Sequence, residues 1–384
     1  MESIMIVKRA DNIVSPLGLT TAANIEALLG GHSELRVRSG PFGLPEDFCG
    51  SLFDRERLEP LFAEAIGPSV SEYTFLEQAC IYSVSKALEN CGVDPSAGDV
   101  LFVVSTTKGN VDRLEADRLD SRAYLSHTAE IVSRHFGNPN EPLVVSNACI
   151  SGVCAQIAAI RELLSGKYRV AIVVGCDVLS KFIVSGFQSF KALSPERCKP
   201  YDSSRRGLNL GEAVGTLVLE RTDGEEGSDA WQFVAGSIHN DANHISGPSR
   251  TGEGSYRVLE DLLRKVDTAD LAFVNAHGTA TAYNDEMESI AIHRAGLDRV
   301  PANGLKGVYG HTLGAAGVIE TILSMGAVDR GIILPTVGYG EQGTTYKLNI
   351  APETRPTEKR TFIKILSGFG GSNAGIAYRK GGEK

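Results

Sequence analysis

Three side chains in this sequence have the type and setting for chemistry: Cys149 in "VVSNACISGVCAQIAAI", His277 in "NAHGTAT" and His311 in "YGHTLG". Cys149 stands where an apolar run gives way to an Ala-rich helical pattern. A helix N-terminus offers free N–H groups and positive potential, which favour a thiolate and can hold a developing oxyanion. Free cysteine is also among the most buried residue types, so the residues alone leave Cys149 open between nucleophile and core. Cys80, Cys154 and Cys176 lie inside apolar runs and read as core. His277 follows a strand-like segment, and the C-terminal ends of strands are where α/β folds place their sites. His311 sits in a turn between glycines. Small neighbours around both histidines let a backbone or a substrate approach closely, which favours function over a surface role.

Other motifs are less decisive. "GFGGSNAG" (368–375) lies between two strand-like runs. A dinucleotide-binding loop has to open a helix, so these glycines are expected to shape an active-site loop with exposed N–H groups instead. Asp285 and Glu288 are spaced as an N-cap and its partner three residues on. Lys306 and Glu320 flank the His311 turn, either as a buried ion pair or as a direct electrostatic element.

The elements that must position these groups follow from periodicity. "EPLVVSNA" (141–148) reads as a buried strand and the segment after it as a helix, with Val153, Ile157, Ile160 and Leu164 on one face and Gly166 as its stop. "RVAIVVGCD" (169–177) is another buried strand, so the unit is a parallel crossover. The second half repeats the theme: a strand at 270–276, a helix at 285–297, then a turn and an Ala/Gly-rich helix after His311. Cys149-Ile-Ser-Gly152 matches His311-Thr-Leu-Gly314 in layout. We read a weak internal duplication, two α/β halves packed face to face, with residues 1–225 as an N-terminal half and 226–384 as a C-terminal half.

Bulk properties bound the function. The 384 residues are 42% hydrophobic and 22% charged, ordinary for a globular protein. A net charge of −9 argues against nucleic acid or an acidic membrane surface as a partner. Seven scattered cysteines, with no C-x-x-C, argue against a disulfide framework or a Cys-rich metal site and suit a reducing cytoplasm. The apolar patch in "MESIMIVKRADN" is too short for a secretory signal, and no run approaches a membrane span. A cytoplasmic location is expected, with no metal.

Together the motifs resemble those of the β-ketoacyl-acyl-carrier-protein synthases of the elongating, Cys-His-His type, in the thiolase superfamily. "SNACISG" resembles the nucleophile segment, "NAHGTATAYNDEME" the first histidine segment, and "GLKGVYGHTLGAAGVIE" the Lys and Gly-His segment. "SGFGGSNA", "CKPYDSSRRGLNLGEAVGTLVLE" and "IVSPLG" also fit, in family order, from about residue 12 to about 375. The resemblance implies a duplicated thiolase-like α-β-α-β-α architecture and a decarboxylative condensation of an acyl thioester, carried on Cys149, with malonyl-acyl-carrier protein. It implies Cys149, His277, His311 and Lys306 as catalytic residues, and the N–H groups of Cys149 and Phe369 as an oxyanion hole, with Phe369 a gate. Lys306 and Glu320 then support the second histidine, and Thr279 and Thr281 line the pantetheine path. The substrates ride on the phosphopantetheine of acyl-carrier protein, and no bound cofactor is implied. An acidic carrier docking on an acidic protein needs a local basic patch; Arg205 and Arg206 are the first candidates, then Arg113, Arg118 and Arg122.

A homodimer is expected. The alternative is a ketosynthase-like subunit paired with a chain-length-factor-type partner. "SEYTFLEQA" (71–79) lacks the basic residues usual there, and "STTKGN" (105–110) replaces a Gly-rich stretch near the acyl pocket. Both departures point to a specialised substrate rather than housekeeping fatty-acid elongation, with the pathway left open between fatty-acid and polyketide or polyene-type biosynthesis.

Overall fold

The computed structural model describes residues 4–115, 120–223 and 229–382. The expected boundary at 225/226 lies outside the described residues.

Eleven strands form one hydrogen-bonded series. Its order is Asn349–Ile350, Pro301–Asn303, Leu271–Asn275, Thr361–Gly368, Ser372–Lys380, Trp231–Asn240, Ile4–Val14, Ala213–Asp223, Val170–Asp177, Val100–Ser105 and Leu143–Val145. The two halves meet where Val7 faces Gln232. Outward from that seam each half runs through the same sequence of pairings, antiparallel, antiparallel, parallel, parallel. The weak duplication seen in the sequence is therefore a repeat of topology, and the fold is the layered thiolase type.

Two helices fill the space between the half-sheets: Ser151–Leu164 and Ala316–Asp329. The second is buried from Ala316 through Val328, as a helix that is apolar all round must be. They cross where Gly152 meets Gly317. A Cβ on Gly317 would lie 2.5 Å from the Val153 nitrogen, so only glycine allows this approach. Helices Phe75–Leu88 and Glu253–Leu263 cover the outer faces.

Three details differ from the sequence reading. The strand expected to be buried at 141–148 is the three-residue Leu143–Val145, half-buried at the end of the series with one partner. Leu164 fits the helical spacing but is 48% exposed, and Leu163 is the buried residue of that turn. The helix after His277 begins at Ala282 with Thr281 as its N-cap, whose hydroxyl accepts from the Asn284 N–H. Asp285 and Glu288 are thus free for another task. Among the described residues no helix is long and apolar enough to cross a membrane.

Candidate active site

Cys149 is held by a sharp strand-to-helix turn. Ala148 adopts φ +45°, a left-handed conformation that costs a residue with a Cβ about 1–2 kcal/mol. The turn is locked from both sides: the Asn147 N–H donates to Ser151 Oγ at 2.8 Å, and Ser151 Oγ donates to the Ala148 carbonyl at 2.6 Å. The cysteine is 8% exposed at the mouth of the first central helix. Gly368 lies directly across, where a Cβ would sit 3.2 Å from the Cys149 nitrogen. The Phe369 N–H points at the sulfur.

His277 is fixed through its backbone. Glu288 accepts from the His277 N–H at 2.7 Å and from the Gly278 N–H at 2.8 Å; Asp285 accepts from the Ala280 N–H at 3.2 Å. Tyr201 closes this cradle, donating its hydroxyl to Glu288 and its N–H to Asp285. Burial pushes the Asp285 carboxyl up to about 7. The expected N-cap pair is instead a buried acidic clamp on the His277 loop.

Lys306 forms the expected buried ion pair with Glu320, but its second contact is to the first histidine loop. It is fully buried and donates to the His277 carbonyl at 2.7 Å and to Glu320 at 2.8 Å. Its side chain hydrogen-bonds to the first histidine loop, and it reaches the second through its charge and through the chain, where the Gly310 N–H donates to the Lys306 carbonyl. It does not line the cleft. A second lysine, missed in the sequence, completes the unit. Lys364 donates to Glu320 and, at 3.1 Å, to the Ala276 carbonyl. Its signal was present: a lysine inside the buried strand "TFIKIL" requires a buried acid.

His311 is held at its N–H by the Asn209 carbonyl at 2.7 Å. Its Nδ1 accepts from the Leu313 N–H at 3.2 Å. The ring proton therefore sits on Nε2, which is buried with no hydrogen-bond partner among the described residues.

The three side chains converge. The Cys149 sulfur and one nitrogen from each ring lie within 4.8 Å of one another, and the rings meet edge to face, 5.0 Å apart. Burial, then Lys306, holds both imidazoles well below their usual pKa, so both are neutral. Burial pushes the Cys149 thiol up to about 11, against the pull of Lys306 and the Phe369 N–H. Burial thus favours a resting thiol over the thiolate that a helix N-terminus favours. Iodoacetamide alkylation of Cys149 should thus rise about tenfold per pH unit from pH 7 to 10, with peptide mapping separating it from half-exposed Cys91. A plateau at neutral pH would show a resting thiolate and overturn this. By donor type the same trio could ligate a soft divalent metal.

A cleft of about 520 Å³ opens onto the trio. Thr279 and Thr281 line it, their hydroxyls 2.9 Å apart. Phe369, on the loop over Cys149, packs on Phe187 and Phe190 at ring separations of 5.9 and 5.4 Å. Arg206 is exposed at the rim, 3.7 Å from Glu196. Arg205 points inward instead, donating to the Asp202 and Gly343 carbonyls, and is not available to a docking partner. The reason is local: those carbonyls and Asp285, at 3.9 Å, surround its guanidinium. Arg122 is engaged by Glu77 and the Glu72 carbonyl, and Arg113 lies 4.0 Å from Asp120. Arg118 lies outside the described residues.

The description "Beta-ketoacyl synthase, N-terminal domain" matches residues 14–224, and "Beta-ketoacyl synthase, C-terminal domain" matches residues 233–340. The chain is 34% identical to 3-oxoacyl-(acyl-carrier-protein) synthase 2 of Rhizobium meliloti (strain 1021), over 65% of this chain and 63% of that protein. It is 30% identical to Nodulation protein E of Rhizobium meliloti over 67% of each. A beta-ketoacyl synthase from Burkholderia phymatum STM815 superposes with a TM-score of 0.84 at 23% identity, covering 98% of this chain and 100% of that one. The ketosynthase ApeO, solved in complex with its chain length factor ApeC from Xenorhabdus doucetiae, gives 0.82 at 23% identity over 98% of each chain.

Proposed function

The chain belongs to the beta-ketoacyl synthase family and is a condensing acyltransferase, and from that premise we propose how its residues share the work. Cys149 takes the acyl group from a carrier-protein thioester. A new S–C bond forms, the old one breaks, and the cysteine proton ends on the departing pantetheine sulfur. The N–H groups of Cys149 and Phe369 hold the oxyanion of that step. Malonyl-carrier protein then enters. His277 and His311 donate to its thioester oxygen, the carboxylate leaves as carbon dioxide, and the enolate pair attacks the Cys149 thioester. The cysteine departs as thiolate and regains a proton. The observation that carries this reading is the pair of neutral, buried imidazoles beside a thiol, with the His311 Nε2–H unpartnered. A hydrolase needs one base for its cysteine; an enolate needs donors, and neutral imidazoles are donors.

Lys306, Lys364, Glu320, Asp285 and Glu288 are positioning residues. Thr279 and Thr281 line the path of the pantetheine, and Phe369 on its glycine-flanked loop is the gate. The oligomer is a dimer, with a second copy or a chain-length-factor-type subunit opposite, and the seven free thiols suit the cytoplasm.

Two measurements test this. Incubation with a panel of acyl-carrier proteins should add one acyl mass, mapped to Cys149; a mass on any other residue would contradict the assignment. Of the expected docking arginines, Arg205 and Arg122 are engaged by the chain itself, and Arg206, exposed at the rim of the cleft, is the first to test. Arg206→Glu should raise the KM for carrier-bound substrate and reduce its salt dependence, with kcat unchanged. An unchanged KM at low salt would move the docking site elsewhere.

A further inference from the structure

We propose that Lys364 sets the charge behind His277: as an ammonium it balances the two buried carboxylates that hold the His277 loop, and that balance lets the enolate form at full rate. The inference rests on the reading of His277 and His311 as the enolate donors.

The chain around His277 is pinned at both of its peptide groups. In the first, the Ala276 carbonyl accepts from Lys364 at 3.1 Å and the His277 N–H donates to Glu288 at 2.7 Å. In the second, the His277 carbonyl accepts from Lys306 at 2.7 Å and the Gly278 N–H donates to Glu288 at 2.8 Å. One oxygen of Glu320 accepts from Lys306 and the other from Lys364. Lys364 comes from the strand Thr361–Gly368, where it lies opposite Asn275, just before the histidine loop. It is fully buried and does not line the cleft, so it acts on the reaction through the His277 loop.

The charges give the second lysine its purpose. Glu288 accepts from four donors, the two N–H groups, the Tyr201 hydroxyl and the Asn284 amide, which is the pattern of a carboxylate. Glu320 accepts from both ammoniums. Two lysines therefore face two carboxylates, and the next acid out, Asp285, faces Arg205 at 3.9 Å. Without the Lys364 proton, one buried negative charge is left uncompensated behind the His277 loop. Decarboxylation breaks the bond to the malonyl carboxylate, carbon dioxide leaves, and the bonding pair moves onto the thioester oxygen between the two imidazoles. An extra negative charge behind one imidazole opposes that movement more than it opposes binding of the malonyl thioester. Burial lowers the Lys364 ammonium to about 8, with Glu320 supporting the charge and Lys306 opposing it. The charge is present below that pH and is lost as pH rises through it.

Carbon dioxide release from malonyl-carrier protein, followed from roughly pH 6 to 9.5, tests this in wild type, Lys364→Gln and Lys364→Arg. Acylation of Cys149, read by intact mass and peptide mapping, is run beside it. In wild type, kcat for release should fall about tenfold as pH rises through about 8, the order expected of one buried charge, with KM little changed. Acylation should show no such fall. Lys364→Gln keeps a donor for the Ala276 carbonyl but not the charge, and should show the lower rate at every pH. Lys364→Arg keeps the charge and should hold the higher rate across the range. Asp285 titrates near 7 in all three proteins, so a fall that only wild type shows belongs to Lys364. The wild-type profile and Lys364→Gln decide the matter even if the larger guanidinium does not fit. A wild-type kcat flat through pH 8, or Lys364→Gln at the wild-type rate, would overturn the inference. So would Lys364→Gln slowed alike in release and acylation, since the lysine would then serve only the fold. His277→Ala tests the reading beneath: release at the wild-type rate there would show that His277 is no enolate donor, and both would fall.

Discussion

Replacing Cys149 with glutamine should abolish condensation, by roughly 10⁴–10⁶-fold, while malonyl decarboxylation continues within a few-fold of wild type. The two effects separate because the nucleophile and the enolate donors are different groups. Cys149 offers a sulfur beneath the Phe369 N–H, and without that sulfur no acyl-enzyme forms. Decarboxylation needs only a malonyl thioester with its oxygen against two imidazoles. Those are held from behind, by Lys306 and Glu288 at His277 and by Asn209 and Leu313 at His311. None of these contacts involves Cys149. A glutamine side chain places a neutral amide where the acylated thiol would be, so the histidines keep their setting. The assay is carbon dioxide release from malonyl-carrier protein, run beside acyl-enzyme mass. A Cys149→Gln protein that released no carbon dioxide would place the sulfur in both half-reactions.

His311→Ala should do the opposite. It removes one of two donors from the enolate oxygen, and loss of one oxyanion donor costs roughly 10²–10³-fold. Acyl transfer to Cys149 should persist at a reduced rate, because the Cys149 and Phe369 N–H groups remain. The carriers of the prediction are the Nε2 proton, fixed by the Leu313 N–H on Nδ1, and the neutral state imposed by burial. His311→Asn, which keeps a donor of similar reach, should recover part of the loss. If His311→Ala released carbon dioxide normally but could not be acylated, His311 would be the base for Cys149, and the site would be a hydrolase's.

The residues alone set His277 and His311 apart from the other histidines for a local reason, and left Cys149 open until the motifs were taken together. Glycine and alanine crowd both histidines, while Cys149 and His277 each follow an apolar run that ends abruptly. The layers were legible in the same way, since buried strands and an Ala/Gly-rich helix have periods of their own. What was not legible arises from contacts across the chain. Asp285 and Glu288 fit a helix cap by spacing, and only the fold turns them toward the His277 backbone. Lys306 flanks His311 in sequence yet holds the carbonyl of His277, 29 residues away. Arg205 and Arg206 are neighbours of one type, but carbonyls on one side draw the first inward while the second stays at the rim. The protonation of Cys149 was not legible, because a helix N-terminus is visible in sequence and the depth of burial is not.

The most direct measurement is a single turnover. The enzyme is acylated, the acyl mass is mapped to Cys149, and malonyl-carrier protein is added in excess. The account predicts that acyl-enzyme disappears and carbon dioxide appears at the same rate, one for one, with the acyl group recovered two carbons longer on the carrier protein. Recovery of the acyl group as free acid, with no carbon dioxide released, would contradict it.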